Sequence, residues 1–397
     1  MIERVEGDVT SPLGFLAAGV HCGIKPHRRD LALIVSEVPA SAAGLFTTNR
    51  VKAAPVRYCE EVIRAGMAQA IVVNSGNANA CTGPQGLRDA YEMAELTARS
   101  LGIPRSLVLV CSTGVIGTPL PMDALRRGIP LAARALERDG KAAAEAILTT
   151  DAFPKVAAAR VHLPDGVVTV GGMAKGAGMI HPQLATTLAF LTTDAALSSG
   201  RLREALERAA DASFNRITVD GDTSTNDSLI ALANGRSGRS CEEGEAFWAF
   251  TEALTWVAQE LAKMVVRDGE GAERLVRVEV TGAQDDSEAR RAAYAVATSL
   301  LVKTMLHGAE PNWGRVLAAV GRAGVEMDEA STRIWFGPVE VVRDGVGNKE
   351  VLEAAAEALR QPEVTIRVDL GVGSGAWHVW TCDLGETYVR INGSYIT

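Results

Sequence analysis

Six short apolar runs constrain this 397-residue chain more than any other feature. They lie at 31–35, 70–73, 107–111, 167–170, 188–191 and 275–280, and each gives way to Ser, Asn, Gly or Thr. Runs of this length, closed by turn-forming residues, read as buried β-strands. Amphipathic segments come between them. Phe247, Phe250, Leu254, Val257, Leu261 and Met264 recur at three- and four-residue steps with Gly269 just beyond, which predicts a core-facing helix and a glycine stop. A second helix is predicted from Ser287 to Gly308, with Ala292, Val296, Leu300, Val302 and Lys303 along it, and a third over 350–359. Strands alternating with helices, without a fixed repeat, predict an α/β architecture.

A hydrophobic content of 47% against 22% charged residues is that of a globular chain with a sizeable core. No proline- or serine-rich linker divides it, so two domains on a flexible tether are not expected. The longest charge-free stretch, 65–87, is interrupted by Asn74, Ser75, Gly76, Asn77, Asn79 and Pro84, so no membrane span is expected. The residues from Met1 to Asp8 lack the basic region and apolar core of a signal peptide, and the expected location is the cytoplasm. A net charge of −8 disfavours a partner tracked through its phosphates, so no nucleic acid is expected. The six cysteines form no C-x-x-C pair and the six histidines no H-x-x-x-H pair, so no metal site is expected either.

The chemistry must then reside in the polar turns that follow the strands. Ser112-Thr113-Gly114-Val115-Ile116-Gly117 follows one directly, and a glycine amide beside the Thr113 hydroxyl is the pairing that stabilises an oxyanion, though a plain glycine turn has the same letters. Asn74-Ser75-Gly76-Asn77-Ala78-Asn79 and the stretch from His307 to Arg315 are dense in polar and turn residues, yet neither specifies a reaction. The segment from Gly171 through Lys175 to Phe190 resembles a phosphate cradle only superficially, because its lysine precedes the glycines. Within it, Thr186 follows the small residue Ala185. Such a threonine can attack its own preceding carbonyl, and hydrolysis of the resulting ester would expose an amino-terminal Thr186 whose α-amine, with a reference pKa of about 7.7–8.0, serves as its base. From the residues alone, the more ordinary reading is that Thr186 and Thr187 are β-formers in a strand.

Taken in order, these motifs resemble the ornithine acetyltransferase family, also called glutamate N-acetyltransferase, over essentially the whole chain. The resemblance rests on the 74–79 and 112–117 turns, Thr149-Thr150-Asp151, the stretch from Gly172 to Met179, Ala185-Thr186, Asp268-Gly269-Glu270-Gly271-Ala272, Pro311-Asn312-Trp313-Gly314-Arg315 and Ile391-Asn392-Gly393. It implies self-cleavage between Ala185 and Thr186 into an α chain, 1–185, and a β chain, 186–397, co-folded into a layered α/β assembly shared between the two and expected as an α2β2 heterotetramer. It implies Thr186 as the nucleophile, Thr113 and Gly114 as the oxyanion hole, and Thr149, Lys175, Thr186, Glu270, Asn392 and Thr397 as substrate-binding residues. Lys175 and Thr397 would meet a carboxylate and Glu270 an amine. The implied reaction carries acetyl from N2-acetyl-L-ornithine to L-glutamate through an acetyl-threonine. No cofactor is implied, and acetyl-CoA is left open as a second donor. Two departures stand out: Thr187 where methionine is expected and Glu310 where aspartate is expected. The competing readings are a self-cleaving aminopeptidase or amidase and a catalytically silent amino-acid-binding protein.

Overall fold

The computed structural model describes residues 1–181 and 187–394. The chain divides into two compact units, one formed by Met1–Asn215 and Thr223–Val265, the other by Arg216–Asp222 and the described chain from Val266 onward. Among the described residues all six predicted strands are present, and nine more join them.

The first unit is built on a nine-stranded mixed sheet: β1 (Ile2–Val5), β2 (Phe15–Val20), β3 (Leu31–Phe46), β4 (Met67–Asn77), β5 (Val108–Val115), β6 (Lys155–Leu163), β7 (Gly166–Lys175), β8 (Leu188–Thr193) and β9 (Ser228–Ala233). Their order is β1-β6-β7-β8-β9-β3-β4-β5, with β2 paired to β3. The run at 31–35 continues to Phe46 because the chain passes Pro39 at a register shift between Val35 and Ala40, an irregularity that accommodates a residue with no N–H to donate.

Helices cover both faces. Met173 on β7 and Phe190 on β8 join a core with Tyr58 of α1 (Ala54–Val62), Met93 of α2 (Gly83–Leu101) and Leu125 and Ile129 of α3 (Met122–Arg134). One residue along each strand the side chain points to the opposite face. There a Cβ on Gly172 would fall 2.8 Å from Leu191 and Leu261 and 3.0 Å from Val257. Glycine is therefore what lets α6 (Gly244–Arg267) lie against β7. Phe247, Phe250, Leu254, Val257 and Leu261 are fully buried as predicted, and Val265 rather than Met264 completes the stripe. Of the remaining helices, α4 (Lys141–Ala146) leads into the 147–154 loop and α5 (Ser199–Asp211) follows β8.

The second unit holds a six-stranded sheet in the order β13-β12-β11-β14-β10-β15. Its strands are β10 (Leu275–Ala283), β11 (Arg333–Phe336), β12 (Val339–Arg343), β13 (Val346–Gly347), β14 (Glu363–Asp369) and β15 (Gly375–Cys382). Val276, Val278 and Val280 of β10 pack with Ala292 and Val296 of α7 (Asp286–Ala297), Leu306 of α8 (Leu300–His307), Val316 of α9 (Trp313–Gly321) and Leu359 of α10 (Leu352–Leu359). The single helix predicted over 287–308 is two helices. Thr298 ends the first and the Ser299 hydroxyl caps the second, accepting from the Val302 amide at 3.4 Å. A short helix, α11 (Glu386–Asn392), follows β15. Among the described residues no helix is long and apolar enough to cross a membrane.

One close approach fixes the first unit near its polar turns. A Cβ on Gly19 of β2 would stand 1.8 Å from the Ala142 carbonyl oxygen of α4. Gly19→Ala must push that helix away, and the obstacle is backbone, which cannot rotate aside. The expected loss of stability is about 1–3 kcal/mol, read as a lower midpoint in chemical denaturation.

Candidate active site

Strands β4 and β5 run parallel, and their carboxy-terminal ends lie side by side with Ser75 paired to Thr113 and Gly76 to Gly114. Gly114 has φ 130°, and a Cβ there would be 2.4 Å from the Gly76 carbonyl carbon. Only glycine permits that conformation and that contact together. Side-chain bonds lock the turn: the Ser112 hydroxyl donates to Asn74 Oδ1 at 2.6 Å, and Asn226 Nδ2 donates to the Ala78 and Ser112 carbonyls at 2.6 and 2.8 Å. The Thr113–Gly114 pair is thus held on a rigid support, as a preorganised oxyanion site requires.

Lys175 is the last residue of β7, and its Nζ lies 3.4 Å from Thr113 Oγ1 and 3.9 Å from Asp151 Oδ2. Asp151 is fully buried as a side chain and serves several donors. It accepts from Lys155 Nζ at 2.8 Å, from the Gly176 amide at 2.6 Å and from the Thr149 amide at 2.9 Å, with the Thr149 hydroxyl at 3.4 Å. Burial opposes its ionisation, but the charges of Lys175 and Lys155 and these hydrogen bonds outweigh that cost and hold its carboxyl far below the usual carboxylate range. The fully buried Lys155 opens β6, whose pairing with Ala174 puts it beside the end of β7.

The structure therefore brings Thr113, Gly114, Thr149 and Lys175 into one place. Glu270 and Asn392 meet in the second unit, where Asn392 Nδ2 donates to Glu270 Oε2 at 2.6 Å. Ala185, Thr186 and Thr397 lie outside the described residues. Around the Ala185–Thr186 position the neighbours are informative. Lys175 pairs with Leu188 across β7 and β8, Leu188 pairs with Ser228 across β8 and β9, and the Ser228 amide donates to the Thr187 carbonyl at 2.9 Å. Among the described residues, the buried hydroxyl of Thr187 and Asp227 Oδ2 have no hydrogen-bond partner. Burial, only partly offset by Ser224 and Lys175, pushes the Asp227 carboxyl well above the usual range. Met179 sits in the left-handed region at φ 57°, a non-glycine conformation that recurs at functional sites.

Asp151 stands in the Thr149-Thr150-Asp151 motif without a role of its own, and Lys155, Asn226 and Asp227 lie in none of the motifs. The four-residue step from Asp151 to Lys155, and the polar triplet Thr225-Asn226-Asp227 just before the apolar 229–233, were the available signals. In the second unit Glu273, His307 and Asp383 lie within reach of one another, but the Arg274 guanidinium stands 3.8 Å from Asp383 Oδ2 and His307 Nδ1 is 2.7 Å from it. That cluster is an ion-pair network built around a guanidinium.

Fold and site define an α/β protein that holds two buried ammonium groups on one carboxylate beside a threonine–glycine turn, an arrangement suited to stabilising an anion away from bulk water. The chain belongs to the ArgJ family, whose model matches residues 16–397. It is 52% identical over 402 residues to the arginine biosynthesis bifunctional protein ArgJ of Symbiobacterium thermophilum, with both chains fully covered. The protein of that name from Thermotoga neapolitana is 48% identical, covering 97% of this chain and 99% of its own. A solved chain of Mycobacterium tuberculosis ornithine acetyltransferase complexed with ornithine is 45% identical and covers 47% of this chain and 100% of its own, with a TM-score of 0.44.

Asp151 and Asp227 make opposite predictions. Asp151→Asn leaves Lys155 buried without a counter-ion and should cost about 3–5 kcal/mol at pH 7. Because the native carboxyl is depressed, the wild-type advantage is present above about pH 4 and is lost as pH falls toward the native value. Asp227, raised in the native state, destabilises increasingly as pH rises above about 4, so Asp227→Asn should melt above wild type at pH 7 with the gap closing toward pH 4. Thermal melts of both variants across pH 3–8 check the signs.

Proposed function

We propose that this chain is a glutamate N-acetyltransferase that moves acetyl from N2-acetyl-L-ornithine to L-glutamate through an ester on Thr186. The observation that carries this reading is full-length similarity, at 52% identity, to an arginine biosynthesis bifunctional protein, joined to a Thr113–Gly114 turn with Lys175 beside it. In the precursor the Thr186 hydroxyl attacks the Ala185 carbonyl, the peptide shifts from nitrogen to oxygen, and water hydrolyses the ester to free the Thr186 α-amine. That amine then takes the hydroxyl proton as Thr186 attacks the acetyl carbonyl of acetylornithine. The carbon–nitrogen bond breaks, ornithine leaves carrying a proton, and the glutamate amine attacks the ester to restore Thr186. Thr113 and Gly114 stabilise the oxyanion in both half-reactions. Thr149, Lys175, Glu270, Asn392 and Thr397 bind the amino acids.

Cleavage between β7 and β8 leaves the two fragments bonded in one sheet, because those strands pair with each other from Val170–Thr193 to Lys175–Leu188. This supports α and β chains that stay co-folded, assembled as a cytoplasmic α2β2 heterotetramer. No cofactor enters the cycle. Acetyl-CoA as a second donor to Thr186 would account for the word bifunctional in the relatives' name.

The purified protein, given acetylornithine and saturating glutamate, should form N-acetylglutamate with little acetate. Acetate as the main product would identify a hydrolase instead. Thr113→Ala should lower kcat about 100- to 1000-fold, and Thr186→Ala should abolish both chain cleavage and turnover. A Thr186→Ala variant that still divides would contradict the shared role of that hydroxyl.

A further inference from the structure

The loop between β2 and β3 carries a lysine that the family resemblance leaves without a role. Asp30 fixes this loop by accepting from the amides of Cys22, Gly23, Ile24 and Lys25 at 2.6, 3.1, 2.7 and 2.9 Å. Four amides on one buried carboxylate hold it ionised below its usual range despite its burial. The bonds also set the direction in which Lys25 leaves the backbone. Its stem then runs over Gly76, where a Cβ would stand 3.0 Å from Lys25 Cγ, and its ammonium donates to the Leu148 carbonyl at 2.6 Å and the Arg29 carbonyl at 3.0 Å. Gly76 is the residue against which Gly114 packs, and Leu148 immediately precedes Thr149. Lys25 thus touches the supports of both the oxyanion turn and the Thr149 loop.

The charge arithmetic at this place is unbalanced. Three of the chain's eight lysines, Lys25, Lys155 and Lys175, gather here in a protein of net charge −8. Asp151 is the carboxylate they share electrostatically, and its shortest ion pair goes to Lys155. Asp30, held ionised by its amides and 3.2 Å from His21 Nδ1, offsets one of the three positive charges, and Asp227 favours its neutral form, so a positive excess remains. The Lys25 ammonium has three N–H groups, of which two meet carbonyls. Burial pushes Lys25 down to about 8; Asp30 and Asp151 oppose that shift, while Arg28 and Lys175 add to it. A half-buried positive excess of this kind is satisfied by an anionic ligand.

We propose that Lys25 is a further substrate-binding residue: its ammonium, seated on the Leu148 carbonyl beside Thr149, takes a carboxylate of the amino-acid substrate together with Lys175. The inference rests on the amino-acid acetyl-transfer reading and adds a residue to its binding site.

The test is Lys25→Met, which keeps the length of the stem and removes the charge, with Lys25→Arg as the charge-keeping control. In the full-length protein Lys25→Met should raise KM for glutamate at least tenfold, falling on KM more than on kcat, and Lys25→Arg should recover a substantial part of it. If the α-carboxylate is the group bound, KM for acetylornithine rises in parallel. If the glutamate side-chain carboxylate is bound, KM for glutamate rises alone. Calorimetric titration of glutamate and ornithine into the same variants gives a readout independent of turnover, so a wild type that binds glutamate without transferring acetyl would sink the transferase reading and leave Lys25 testable. Equal KM and equal Kd, within twofold, for folded wild type and Lys25→Met would overturn the proposal.

Discussion

A single buried carboxylate, Asp151, holds the site of the first unit together. It is the common acceptor for the β6 lysine, the Gly176 amide after β7 and the Thr149 amide in the loop after α4. An unpaired charge in such surroundings would be costly, and one charge shared among several donors is stable only if all of them stay in place. Geometry at Thr149, Lys175 and Gly176 is therefore not three independent facts. The Thr113–Gly114 turn is supported separately, by the packing of Gly114 on Gly76 and by the Asn226 amide spanning two carbonyls, and Lys175 links the two systems through Thr113.

How much of this could be read from residue order follows from how local each signal is. The six apolar runs lie in strands, with Leu107 alone standing one residue before β5, because short apolar stretches closed by turn-forming residues suit a strand with at least one buried face. β6 is not evident from residue order since Lys155 and Arg160 flank its short alanine run, and the first of these charges is the one that pairs with Asp151. The break at Thr298 was invisible to a periodicity that runs on through both helices, although Ser299 is a good cap. Thr113, Gly114, Thr149 and Lys175 were legible through their motifs. Lys25 was not, because its importance depends on a carbonyl 123 residues away and on the absence of a side chain at Gly76.

The second unit illustrates a different limit. Glu270 and Asn392 were picked out by resemblance alone, and the structure joins them directly by a hydrogen bond between a turn after α6 and the last residue of α11. A Cβ on Gly271, at φ 74°, would stand 2.8 Å from Thr387 Cβ, so glycine is what allows α11 to sit against that turn. Nothing in residue spacing announces a contact across 122 positions; only the fold does.

Acetyl transfer through Thr186 with its own α-amine as base requires that residue to become an amino terminus. The most direct measurement is a denaturing mass spectrum of the purified full-length protein with amino-terminal sequencing of each species. Two fragments of 185 and 212 residues, the second beginning Thr-Thr-Leu-Ala-Phe, are the predicted result. A single intact chain of 397 residues that persists through prolonged incubation while acetyl transfer proceeds would contradict it.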